Sequence, residues 1–495
     1  MKIGSARLHP IPASGEQFLV TRTELHAAME ECLRNIRGQL LERAFADLLD
    51  GGQLLDLEKA LHHEVARCLD HFVARLIQAA HFEERLLERA SELIALKPQL
   101  RMQDRGQNVT ISLLGGTQVV IVSPYMLQRP KKKRGRKRTK RGRSGNGLYP
   151  ILELLGIRER VTPALASSVA RQIALGSVSQ TQDNLEDLGI HLDRKRLHSI
   201  ALSVGRRGLL FRDTVIGSGF KPENSLVQGT TIVIGVDGGR LRTRKRKKGR
   251  RRESGHHGFD AEWREPKVLV IYEVDAKGRK KKAGYQRYDA TMANCDAVFA
   301  LIAGHLRTIG ADKAARWAFV GDGALWIWER VQKLCEDVGF DKLNLVEIVD
   351  FYHAKQRLHE FSIEVKSWTK GQRDKWLRDA TKLLNGGRID ALLAMCSEHY
   401  RGCNSKKRRK LAEYFVTNRD RMRYHLFRRG GLPMGSGAVE SCVRRLVNLR
   451  LKGNGIFWTV ESAEAVLQLR AQLLSGRWDQ FMKEILRPVD HWEAA

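Results

Sequence analysis

Two short apolar runs, each closing on an aspartate in a glycine turn, constrain this chain more than any other feature. Thr231-Ile232-Val233-Ile234-Gly235-Val236 leads into Asp237-Gly238-Gly239, and Arg316-Trp317-Ala318-Phe319-Val320-Gly321 leads into Asp322-Gly323-Ala324. Uninterrupted β-branched and aromatic runs of this length read as strands buried on both faces, which requires helices on either side of a sheet. Strand ends are where such sheets present reactive groups to the crevice beyond them. One aspartate in a glycine-rich turn is ordinarily a turn or cap residue. Two of them closing separate buried strands point to a shared site, and the flanking glycines leave room for a metal and a phosphate backbone.

The pattern around these runs predicts an α/β region. Val268 to Val274 reads as a second strand, Gly284 to Tyr288 as a third, Arg316 to Val320 as the fourth, and Leu343 to Val349 as a fifth that ends at Asp350. Helices are predicted from Asn294 to Ile309 and from Leu325 to Cys335, by apolar residues recurring on one face. The order β-β-β-α-β-α-β resembles a ribonuclease-H-like core, a mixed sheet with helices on its faces.

Upstream, Thr23 to Leu96 reads as helical, and Val109 to Leu114 turns at Gly115-Gly116 into Gln118 to Val122 as a short β pair. Three helices are predicted over Pro163 to Gly176, Ser177 to Leu188 and Asp193 to Gly205. With Arg194 and Lys195 opening the last, they read as a helix-turn-helix or as a three-helix connector. The expected organisation is a mainly helical region with a short β pair over 1–130, a basic linker over 131–147, and a helix-turn-helix-like region over 148–228. There follow the first part of the ribonuclease-H-like core over 229–353, an all-helical insertion over 354–432, a closing helix over 433–475 and a tail over 476–495.

Charge narrows the partner. The 87 Lys and Arg against 56 Asp and Glu leave a net +31, which implies a polyanion such as nucleic acid or an anionic membrane surface. The segments 131–143 and 240–252 hold ten basic residues each and no acid, among them Lys131, Lys132, Lys133, Arg134, Arg136, Arg244, Lys245 and Arg246. A single run reads equally as a solvated loop. Two on an already basic background favour phosphate contact, because each neutralised phosphate releases counterions. No stretch approaches the ~20 apolar residues of a spanning helix. The N-terminus lacks the apolar core of a signal peptide, and seven scattered cysteines without a Cys-x-x-Cys pair suggest reduced thiols. The expectation is a cytoplasmic protein that binds double-stranded DNA and no membrane.

A third acid follows from helical spacing. After the turn Met434-Gly435-Ser436-Gly437, Ala438 to Arg450 reads as a helix with Val439, Cys442-Val443 and Leu446 toward a core and Glu440, Arg444 and Asn448 on the opposite face. Glu440 there is either a first-turn acid complementing the helix dipole or a ligand with an arginine behind it for phosphate. Hard cations want oxygen ligands and retain waters, so Asp237, Asp322 and Glu440 suffice as a site for Mg²⁺ or Mn²⁺, with two ions expected.

Taken in order, Gly235-Val236-Asp237, Val320-Gly321-Asp322-Gly323-Ala324 with Trp326-Ile327-Trp328, Val349-Asp350-Phe351-Tyr352-His353 and Gly435-Ser436-Gly437-Ala438-Val439-Glu440-Ser441 resemble the DDE transposases of bacterial insertion sequences. The resemblance covers about residues 145 to 475 and implies that Asp237, Asp322 and Glu440 bind the catalytic metals, at intervals of 85 and 118 residues. The longer interval resembles members with an all-helical insertion before the glutamate helix. Asp350-Phe351-Tyr352-His353 resembles the Asp-x-x-His signature of Mutator-like transposases, which makes Asp350 and His353 neighbours of the site, with Arg444. The family further implies DNA cleavage and strand transfer, terminal repeats and target DNA as partners, and at least a homodimer in the synaptic complex. One departure is that no cysteine lies between Cys68 and Cys295, so a cysteine zinc module upstream of the core is missing.

Trp458 either stacks on an unpaired end base or packs the end of the last core helix. Two further readings stay open, a ribonuclease-H-like nuclease or resolvase without strand transfer and a transposase-derived DNA-binding regulator.

Overall fold

A computed structural model describes residues 51–128, 147–219, 222–247, 257–399, 405–435 and 437–487, with 249 and a few positions between 26 and 37. The run 131–143, with Lys131, Lys132, Lys133, Arg134 and Arg136, lies outside these residues. The chain divides into two compact units, Met1–Arg207 with Met482–His491 and Gly208–Phe481 with Trp492–Ala495.

In the first unit a long helix, α1 (Gly51–Ala80), and α2 (Glu84–Ala95) precede the hairpin β1 (Leu100–Ser112) and β2 (Gln118–Gln128), which β3 (Gly147–Leu148) extends. The strands run well beyond the short pair read from the sequence. The added part of β1 is polar and exposed, Arg101 to Asn108, and so carries no apolar alternation to betray it. Asp70 of α1 fixes the turn, accepting from the amides of Gly115 and Thr117 at 3.0 and 2.9 Å. Gln78, two turns on, donates to the Val122 carbonyl and accepts from its amide at 3.2 and 2.9 Å.

After α3 (Pro150–Leu154) come α4 (Pro163–Leu175), α5 (Val178–Glu186) and α6 (Arg194–Gly217). Leu165, Val169 and Ile173 of α4 are buried as their spacing requires, and α5 opens on a capping box of Ser177 and Gln180. Two features depart from a tight helix-turn-helix. Seven residues, 187–193, connect α5 to α6, against the three or four usual for that motif. Moreover α6 does not stop at Gly205 but runs to Gly217. Gly208 inside it marks a close approach, since a Cβ there would lie 2.6 Å from the Phe481 ring.

The second unit is built on a five-stranded mixed sheet of β4 (Thr231–Gly238), β7 (Lys267–Val274), β8 (Gln286–Thr291), β9 (Arg316–Gly321) and β10 (Leu345–Val349). Their order across the sheet is β10-β9-β4-β7-β8. β7 is antiparallel to both β4 and β8, whereas β9 is parallel to β4 and β10 to β9. Every residue of β7 is buried, as are Ile232 to Val236 of β4, which accounts for their uninterrupted apolar runs. Helices α7 (Cys295–Thr308) and α8 (Leu325–Val338) connect the later strands. Between β4 and β7 the chain forms a separate two-stranded ribbon, β5 (Leu241–Arg246) and β6 (Phe259–Arg264). The second basic run is therefore in part a β-ribbon and not simply a loop.

Beyond β10 lie α9 (Phe351–Glu364), α10 (Lys370–Asn385), α11 (Ile389–Ser397), α12 (Lys406–Thr417) and α13 (Tyr424–Arg429), the helical segment expected before the third acid. The helix read from Ala438 to Arg450 is present without a break as α14 (Gly437–Val443), a π-helical turn over Arg444–Asn448 and a short α15 (Leu449–Leu451). The wider turn breaks the 3.6-residue period, so Val447 and Arg450 are buried beside Leu446 while Asn448 is half-buried. Arg470 of α16 (Val460–Leu474) donates to the carbonyls of Arg445 and of Leu446, the latter at 2.9 Å, compensating the turn's weakened ladder. α17 (Trp478–Leu486) follows, with its residues from Met482 onward counted in the first unit.

Buried charges staple this unit away from the strand ends. Asp289 of β8 accepts from His305 of α7 at 2.8 Å and lies 3.3 Å from the Arg212 guanidinium, which holds its carboxyl down to about 2 against the opposing effect of burial. Cys295, Cys335, Cys396 and Cys442 are free thiols, whereas Cys68 is disulfide-bonded. The expectation of reduced thiols throughout fails at Cys68. Among the described residues no helix is long and apolar enough to cross a membrane.

Candidate functional site

Strand register brings three aspartates side by side. Gly235 pairs with Val320 across β4 and β9, and Val349 pairs with Gly321 across β10 and β9. Continued to the strand ends, the same register sets Asp237 beside Asp322 and Asp322 beside Asp350. The Asp350 amide donates to the Gly321 carbonyl at 2.8 Å, so the ladder persists to that point. Neighbouring strands lie about 4.8 Å apart, and paired residues share a face.

Each aspartate also serves its own turn. Asp237 Oδ1 accepts from the Gly238 amide at 2.6 Å, Asp322 Oδ1 from Ala324 at 3.0 Å, and Asp350 Oδ1 from His353 at 2.8 Å as the cap of α9. Among the described residues the second oxygens of Asp237 and Asp322 accept no hydrogen bond. Burial raises the Asp237 carboxyl to about 6, with the charges of Asp322 and Glu265 adding to the rise and the Gly238 amide and His353 opposing it. Glu265, placed beside Gly238 by the β4–β7 pairing, was not apparent from the sequence. It bonds Lys267 at 2.6 Å, whose ammonium lies 4.5 Å from the Trp326 ring centroid.

The third predicted acid arrives by close packing. α14 lies on β4 and β7, and Gly235 is the reason it can: a Cβ there would be 2.2 Å from Val439 Cγ2. The Cys442 thiol donates to the Leu269 carbonyl at 3.5 Å from the same helix. Val439 and Cys442 are buried, which leaves Glu440 exposed on the outer side, with Arg444 exposed one turn later.

Glu440 groups with Asp350 and His353. One ligand atom from each of these three lies within 4.8 Å of the others, and no other such group of three occurs among the described residues. Asp237, Asp322 and Glu440 alone do not make so tight a set. His353 Nδ1 is 3.6 Å from Asp350 Oδ1, is buried, and has no hydrogen-bond partner. The Asp350 carboxylate, with Asp237 and Asp322 behind it, holds this imidazole above its ordinary pKa despite its burial. A donor set of carboxylates and one imidazole, with a desolvated aspartate among like charges, fits a hard divalent cation.

Two tyrosines from the helical segment hold the strand ends. The Tyr414 hydroxyl of α12 donates to the Asp322 carbonyl at 3.0 Å, and Tyr424 of α13 to the Val349 carbonyl at 2.9 Å. Tyr424 is fully buried, and the Tyr414 ring lies 2.5 Å from where a Cβ on Gly323 would sit, at a φ of +88°. Neither residue was singled out by spacing, since nothing local links them to strands many residues away. Tyr414→Phe and Tyr424→Phe are each expected to cost about 1–2 kcal/mol by denaturant unfolding, the larger loss falling at Tyr424, whose deletion strands a carbonyl farther from water. Equal, negligible losses would show that neither hydroxyl holds its strand.

The basic and aromatic residues separate by position. Arg244, Lys245 and Arg246 lie exposed on β5, and Lys195 is exposed at the start of α6. Arg194 is exposed too but is engaged internally, with Gln182 at 2.9 Å and Ser179 at 3.1 Å. Trp458 is a packing residue: it is 9% exposed, its indole donates to the Leu451 carbonyl at 3.0 Å, and its backbone bridges to β5. Of its two readings, stacking on a base is the one its burial argues against. Compared with family models, curated proteins and solved structures, the chain matches none.

Proposed function

We propose that this chain is a transposase of the DDE type, which hydrolyses phosphodiesters at DNA ends and joins the freed 3′-hydroxyls to target DNA. The observation that carries the reading is the alignment of Asp237, Asp322 and Asp350 at the ends of three adjacent parallel strands, with Glu440 on a helix seated against the first. The β-β-β-α-β-α-β order and its mixed sheet are compatible with a ribonuclease-H-like core.

In this reading Asp237, Asp322 and Glu440 hold Mg²⁺ or Mn²⁺, with Asp350 and His353 completing the donor set. Bound there, a pair of ions would activate the attacking water or hydroxyl and neutralise the leaving oxygen. The protein's own contribution is position: strand register sets the aspartates, and the seated helix sets the glutamate. Arg444, exposed one turn beyond Glu440, is available to a phosphate. Arg244, Lys245, Arg246 and Lys195 would meet the DNA backbone without reading sequence, whereas Arg194 is held by Gln182 and Ser179. Two DNA ends held together call for at least a homodimer.

A strand-transfer assay with labelled DNA ends tests the reading. Joined product is expected with Mg²⁺ or Mn²⁺ and none with a chelator. Product that is nicked but never joined would leave a nuclease. DNA functions untouched by both Asp237→Asn and chelation would leave a binding protein without chemistry.

A further inference from the structure

The two faces of the β5–β6 ribbon differ in charge. The cross-strand pairs Arg242 with Trp263, Arg244 with Ala261 and Arg246 with Phe259 set these six side chains on one face, because opposed residues point the same way. Thr243 with Glu262 and Lys245 with Asp260 alternate with them on the other face. There the acids are already paired, Glu262 with Arg264 at 2.8 Å and Asp260 with Lys247 at 2.9 Å. The first face therefore carries three arginines and no acid.

Its aromatic residues are open to solvent. Trp263 is 50% exposed and Phe259 40%. The guanidinium groups of Arg240 and Arg242 lie 4.8 and 5.6 Å from the Trp263 ring centroid, and Arg242 also lies 4.7 Å from the ring of Phe457. Phe457 in turn packs on Phe259, with centroids 5.1 Å apart. A single exposed ring is ordinary. Two rings interleaved with arginines on an acid-free face are what a ligand with both phosphates and flat apolar groups requires. A duplex offers the arginines its phosphates but only base edges in its grooves, so the rings would stay wet. An unpaired strand offers both, phosphate to guanidinium and base face to ring.

We propose that this face, formed by Arg240, Arg242, Arg244, Arg246, Phe259 and Trp263, binds an unpaired DNA strand, with Trp263 as its stacking platform. The proposal rests on the function proposed above, which supplies DNA as the ligand. β5 begins three residues after Gly238, so the ribbon follows Asp237 closely along the chain.

The test is binding by the full chain, in chelator so that no cleavage intervenes, to a fluorescent oligothymidylate and to a duplex of equal length. Trp263→Ala is expected to weaken oligothymidylate binding by about 5- to 100-fold while changing duplex binding less than about 2-fold. Trp263→Phe should retain most of the affinity. If Trp263→Ala fails to fold, the fluorescence lost between the native protein and Trp263→Phe isolates this indole, and oligothymidylate should quench it. Equal losses on both ligands, no loss on either, or an unquenched indole would overturn the proposal. So would displacement of the oligothymidylate by polyglutamate as readily as by unlabelled strand, which would point to an acidic protein partner. Strand transfer is scored separately: its absence with selective binding intact removes the enzyme and leaves the ribbon's ligand.

Discussion

Asp237→Asn is expected to abolish cation-dependent strand cleavage, by about 10³-fold or more, and yet to raise the melting temperature of the metal-free protein. The two effects share one cause. Burial and neighbouring acids lift this carboxyl from 3.8 to about 6, so its charged form destabilises the fold when no cation is present. The sign with pH follows: the folded pKa is the raised one, so the relative stability is full below about pH 4 and is lost as pH rises through about 6. At pH 7.5 asparagine should therefore gain about 1–3 kcal/mol, and near pH 4 it should gain almost nothing. Calorimetry in chelator across that range measures the difference. A metal-free Asp237→Asn protein that melts lower at pH 7.5 would make the carboxylate a turn cap and remove the argument for a cation beside it.

Gly235→Ala is expected to be nearly as damaging, although alanine suits a strand. The added methyl would lie 2.2 Å from Val439 Cγ2 and 3.2 Å from Val270 Cγ1, both on buried side chains. Overpacking of this kind costs about 1–3 kcal/mol. The helix is freer to move than the central strand, so α14 should lift, carrying Glu440 with it. A displacement of about 1 Å at a catalytic group costs about 10²-fold in rate. Val439→Ala on the same chain restores the space, and the double variant should recover most of both losses. Failure of that rescue would mean that Gly235 does not set the seat of Glu440.

These two residues also mark what was legible beforehand. Asp237 and Asp322 could be found because the strands they close are buried on both faces, which writes an unbroken apolar run into the chain. Gly235 stands in the same run, but its use depends on a valine 204 positions later, which no local pattern reports. The extent of β1 is not legible because its first half is polar, and α6 reads short because Gly205, inside the helix, looks like a stop. The π-helical turn was invisible for a related reason: apolar spacing can be fitted to a straight helix until burial is known. Trp263 stands among Asp260, Glu262 and Glu265 in the sequence, and only the ribbon's pairing sets its ring on a face with arginines.

The seating of α14 on β4 bears on synthesis as well as chemistry. The three aspartates lie on elements complete by residue 350, but Glu440 follows the whole helical segment, and the arginine that steadies its turn comes later still, at 470. On the function proposed here, a ribosome that stalls within α9 to α13 releases a sheet with its aspartates and no glutamate. Such fragments should be unable to cut DNA, which stop codons placed between 365 and 436 would check in coupled translation and cleavage. Only a finished chain would be dangerous to a chromosome.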